Sequence, residues 1–99
     1  MSEEQQVKRP EMGLSHADFL RIFPRLLVDA EYSTSGLEPE ARWADGRRLR
    51  VSVSAQHERK IALMRIPYVN ICFWFHGFSA VEQADFLARF DRAFQKGGG

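Results

Sequence analysis

Apolar positions recur at two different periods along the chain. Between residues 15 and 27 they fall at Phe19, Leu20, Phe23, Leu26 and Leu27, the spacing of a helix with one buried face. Ser15 and Asp18 make a capping pair at its start, and Leu14 is placed to staple onto Phe19. Pro24 removes an amide donor and biases Phe23 away from helical geometry, so the predicted helix kinks or restarts there. Over residues 48–54 the period drops to two. Leu49, Val51 and Val53 alternate with Arg48, Arg50, Ser52 and Ser54, which predicts a strand with a single core face. Helical spacing returns at Phe86, Leu87, Phe90, Ala93 and Phe94, behind a Ser79-x-x-Glu82 capping box.

Between these landmarks the pattern is strand-like. Residues 30–35 predict a strand ended by Gly36, and Asp45-Gly46 is a hairpin signal because both positions tolerate positive φ. Residues 60–66 and 70–75 predict two further strands, joined at Pro67, Tyr68 and Val69. Trp43 stays open between two orientations. A two-residue turn pairs it with Arg48 and points it outward, whereas a three-residue loop shifts the register and sends it into the core.

The fold class expected from this order is α+β: helix, four-stranded antiparallel sheet, helix, with both helices on one face of the sheet. Residues 1–13 carry Glu3, Glu4, Lys8, Arg9, Pro10 and Glu11 with little to bury, and are expected as a disordered lead-in. Residues 14–96 form the single expected domain, and 97–99 a flexible glycine tail.

A sheet covered on one side leaves the other side bare. Parity places Arg48 and Arg50 there from one strand, Met64 and Ile66 from the next, and Cys72 and Trp74 from the last. These six residues are the candidate interaction face: an apolar patch edged by arginine, of the kind that marks an interface.

Composition adds weight to the core and little to chemistry. Eight Phe and two Trp in 99 residues, with 44% hydrophobic content, suit one aromatic-rich core. The formal charge is only +1, but residues 42–65 are strongly basic while 29–40 carry Asp29, Glu31, Glu38 and Glu40 with no base. Eleven of the 14 basic residues are Arg, the side chain suited to planar recognition of phosphate, carboxylate or aromatic rings. Pairing of opposite charges between neighbouring strands would account for the same distribution. His16, His57 and His76 are scattered and show no metal spacing. Cys72 reads as a packing residue, no glycine-rich phosphate loop is present, and no catalytic set emerges. No metal or other cofactor is therefore expected.

A single cysteine, and a start without the basic-then-apolar order of a secretory signal, predict a cytoplasmic protein. No apolar run approaches membrane-spanning length. The layout of helix, strands and helix is similar to that of the double-stranded RNA-binding domain. That family places lysines at the start of its second helix, where this chain has Ser79, Ala80, Val81, Glu82 and Gln83, so its function does not carry over. The function expected is a non-catalytic module that binds a protein partner or forms a homodimer through the helix-free face. Single-stranded nucleic acid on the same aromatic and arginine surface is the alternative.

Overall fold

The computed structural model describes residues 4–33 and 36–95. The end of the expected strand at 34–35 and the expected tail at 97–99 lie outside them. The chain runs β1 (Glu4–Met12), α1 (His16–Ile22), a 3-10 turn (Phe23–Leu26), β2 (Ala30–Ser33), β3 (Glu40–Trp43), β4 (Arg48–Val53), β5 (His57–Ile61), β6 (Met64–His76) and α2 (Ala80–Phe94). The fold is α+β with a six-stranded antiparallel sheet and two helices. Its path is β1-β6-β4-β3-β2, and β5 also pairs with β6.

The helix signals act as their chemistry dictates. Ser15 caps α1 by accepting from the Asp18 amide, and the helix gives way to the 3-10 turn with Pro24 in its first turn. Ser79 and Glu82 form a reciprocal capping box at the start of α2. Inward-parity residues of the sheet (Leu49, Val51, Val53, Ile71, Phe73 and Phe75) are buried in one cluster with Phe19, Phe23, Phe86, Phe90 and Phe94 from the helical segments. Phe90 meets Phe73 edge-on at 4.9 Å, and Phe19 stacks on Phe23 at 4.8 Å. Edge-to-face and offset stacking of this kind adds roughly 0.5–1.5 kcal/mol per pair beyond the area buried.

Two expectations need correction, and one open question is decided. First, the sheet has six strands and not four: residues 4–12, expected as a disordered lead-in, form β1 along one edge of β6, and Glu40–Trp43 form β3 between β2 and β4. Backbone pairing and a few modest anchors hold it: Val7 and Met12 pack against the core, Arg9 forks onto Asp91 of α2 at 3.1 and 3.2 Å, and Glu11 pairs with Arg59. A polar edge strand of this type carries no apolar alternation for a sequence to display. Its register slips by one residue between Arg9 and Met12, where Glu11 has positive φ and its amide donates to the Asn70 side chain.

Second, residues 60–66 and 70–75 are not two strands. The chain turns at Ala62 and Leu63, with Ile61 opposite Met64, and then runs unbroken through Pro67 to His76. β5 continues the line of β4 along the same edge of β6 after an extra residue near Ser54. Pro67 is tolerated because β1 ends opposite Val69, leaving one edge of β6 without a strand partner there among the described residues. At about 3.3 Å per residue, the 13 residues of β6 span about 40 Å. β5 and the first third of β6 therefore stand out as a two-stranded arm, in a molecule with extents of 50 × 24 × 22 Å.

The question left open at the β3–β4 hairpin is decided in favour of the three-residue loop. The Trp43 amide donates to the Arg47 carbonyl at 2.9 Å, and the Gly46 amide to the Trp43 carbonyl at 3.1 Å, with Gly46 at φ +100°. Trp43 thus takes the inward parity. Its ring meets Phe78 edge-on at 5.5 Å, and its indole N–H donates to the Val28 carbonyl at 2.9 Å.

Candidate functional site

Strand pairing arranges the sheet face opposite the buried cluster in rows. One row reads Glu4, His76, Arg48, Arg42, Glu31 across β1, β6, β4, β3 and β2. The next reads Gln6, Trp74, Arg50, Glu40, Ser33, and a third Lys8, Cys72, Ser52. Four of the six candidate residues, Arg48, Arg50, Cys72 and Trp74, are therefore brought together on β4 and β6. Met64 and Ile66 are not. They share the parity of Trp74 on β6, but lie out on the arm, eight to ten positions away, or about 26–33 Å. They were expected on a strand beside Trp74 and instead lie in line with it.

Without them the face is polar. Trp74 is half-buried, and the Arg50 guanidinium lies over its ring at 4.5 Å. Cys72 is half-buried too, and its Sγ accepts from the Gln6 side-chain Nε2 at 3.1 Å. Arg42 sits directly opposite Arg48. Like charges opposed across a strand pair are destabilising by roughly 0.2–1 kcal/mol. Glu31 faces Arg42 and Glu40 faces Arg50 in register, yet among the described residues no carboxylate comes within ion-pair distance of Arg42, Arg48 or Arg50. Cross-strand ion pairing thus does not account for these three arginines. They and Trp74, His76 and Glu40 line a shallow depression of about 290 Å³.

Arg42 and His76 were absent from the sequence-derived face. Parity from Arg48 reaches Arg42 only when the loop has three residues, and His76 follows from Trp74 by two positions. That loop also carries an acid of displaced pKa. Asp45 accepts from the Arg47 amide and then from the Arg47 side chain, and both bonds hold its carboxyl below the ordinary value. Arg47 in turn lies over the Trp43 and Phe78 rings, at 5.0 and 5.4 Å.

His16 bonds the Ser54 carbonyl through Nε2 at 2.8 Å, and His57 stacks on Tyr68 at 5.2 Å. Among the described residues no group of three His, Cys, Asp or Glu is placed to hold a metal ion. No helix among them is long and apolar enough to cross a membrane. Compared with protein-family models, with curated proteins and with solved structures, the chain finds no match.

Proposed function

We propose that this chain is a small cytosolic, non-catalytic binding module whose helix-free face takes up a single-stranded nucleic acid. One observation carries the reading: three guanidinium groups on neighbouring strands, Arg42, Arg48 and Arg50, have no acidic partner among the described residues and flank a half-exposed indole. Phosphates seated one each on Arg42, Arg48 and Arg50 offset the repulsion between the first two. A base stacked at Trp74 takes the place of the Arg50 guanidinium or sandwiches the ring from its open side. Sequence preference on such a surface is weak, because every base offers a π-face.

A protein partner or a second copy on this same face is the other reading. It has lost support: with Met64 and Ile66 removed to the arm, Cys72 and Trp74 are the only members of the six that could give the patch apolar character.

Fluorescence anisotropy of a labelled oligothymidylate separates the two. Binding should weaken with salt at a log–log slope near −2 for three phosphates, at about −0.7 each on single strands. Trp74→Ala should cost about 1–3 kcal/mol of affinity, a 5- to 150-fold loss. Absence of binding at low salt, or binding indifferent to Trp74, refutes the proposal.

A further inference from the structure

Glu40 is at odds with the groups around it. It lies directly opposite Arg50 of β4 and two positions from Arg42 on its own strand, with Arg48 diagonal to it. Three guanidinium-bearing residues thus border one exposed carboxylate, at the spacing of adjacent strands and alternate residues, about 5 and 7 Å. None of them closes on it. Among the described residues Glu40 is in no ion pair, and Arg50 is turned instead onto the Trp74 ring, 4.5 Å away.

A surface built only to hold phosphate would do better without that carboxylate, which repels every phosphate the arginines attract. An ionised carboxylate can only accept, so its use in a ligand site is to receive an O–H or N–H. Position selects the donor. Glu40 lines the same depression of about 290 Å³ as Arg42, Arg48, Arg50 and Trp74. Trp74 is two strands away on β6, so a base stacked there is centred about 10 Å from Glu40, whereas Arg42 and Arg50 on the phosphate path are its immediate neighbours. Beside a backbone phosphate the donor that a nucleic acid offers is the ribose 2′-hydroxyl, which DNA lacks. Glu31 also faces Arg42 but does not line the depression, and Glu4 lies three strands from β3, beside His76.

We propose that Glu40 makes the arginine face selective for RNA, by accepting a hydrogen bond from the 2′-hydroxyl of a nucleotide whose neighbouring phosphates rest on Arg42 and Arg50. The inference rests on the single-stranded nucleic-acid reading and adds the sugar to it. Stacking on Trp74 is indifferent to the sugar, and guanidinium groups hold either backbone, so the discrimination falls to the carboxylate between them.

Anisotropy of labelled oligouridylates of one length, in ribo, deoxyribo and 2′-O-methyl forms, tests it, because base and phosphate count are shared and only the sugar varies. The ribo form should bind about tenfold more tightly than the deoxy form, the scale of one hydrogen bond to a charged group. The 2′-O-methyl form keeps the oxygen but cannot donate, and should bind no better than the deoxy form. Glu40→Gln is isosteric at an exposed position, so the fold is kept. It should bind the deoxy form more tightly than the parent does, one repelling charge being gone, and its preference for the ribo form should narrow several-fold. Equal affinity for ribo and deoxy forms, a 2′-O-methyl form that matches the ribo form, or a preference that survives Glu40→Gln intact overturns this inference and leaves the nucleic-acid reading standing. Failure of all three forms to bind at low salt ends both.

Discussion

Replacing Arg48 with Gln should make the protein more stable and a poorer binder at once. Arg48 is directly opposite Arg42, and no carboxylate within ion-pair distance offsets either charge among the described residues. Removing one member of such a pair returns about 0.2–1 kcal/mol. For a domain of this length, 1 kcal/mol corresponds to roughly 4–8 °C in Tm, so a rise of about 1–8 °C is expected. Gln keeps the length and polarity of the stem and stays exposed, so packing is not disturbed. On the binding side, losing one phosphate contact should lower the magnitude of the salt slope by about 0.7. Differential scanning calorimetry in low salt measures the first effect, and anisotropy over a salt series the second. The stability gain should shrink as salt rises, because the repulsion is screened within about 10 Å at 0.1 M. A fall in Tm would show that Arg48 is held by favourable contacts after all. An unchanged salt slope would remove it from the phosphate path.

Other outcomes follow from the same geometry. Phe90→Ala empties a site that is 0% exposed and ringed by Phe23, Phe73 and Phe94, and should cost about 3–5 kcal/mol by urea denaturation. A loss below about 1 kcal/mol would mean that the aromatic cluster collapses to fill the space. Gly77→Ala forces a side chain onto φ +78° and puts its Cβ 3.2 Å from the Gly46 carbonyl, so it should destabilise by at least about 1–2 kcal/mol; an unchanged urea midpoint would contradict this. Asp45 should titrate below the ordinary carboxylate midpoint of about 3.9 in an NMR pH series, and Arg47→Gln should raise it. Because the folded value is the lower one, the turn's contribution is complete above the unfolded midpoint. It is lost as pH falls through the folded one. A midpoint at or above the ordinary value would remove the Arg47 bonds from the account.

Capped helices with apolar stripes were legible in the sequence because each signal is local. Ser15, Pro24, Ser79 and Glu82 act within a turn of where they stand. The strand at 48–54 was legible because one buried face imposes strict alternation. What escaped was non-local or lacked its usual residue. β1 is a polar edge strand whose place depends on β6, about 60 positions later. Ala62 and Leu63 turn the chain without glycine, asparagine or proline, while Pro67, the residue that advertises a turn, sits inside a strand. The candidate face inherited that error. Parity gave Arg48, Arg50, Cys72 and Trp74 correctly as one group, but misplacing the turn laid Met64 and Ile66 beside them instead of along the arm. Arg42 was hidden by a single residue of loop length at Asp45-Gly46.

The pairing of β1 with β6 has a consequence for synthesis. Glu4 is made some 70 residues ahead of its partner His76, which at roughly 5–20 residues per second is a wait of about 4–14 s. For that interval the segment has nothing to zip onto. Gln5, Gln6, Lys8, Arg9 and Pro10 are residues that do not cling to strangers, so the composition that conceals β1 from a reader of the sequence also keeps it safe on the ribosome until its groove in the sheet exists.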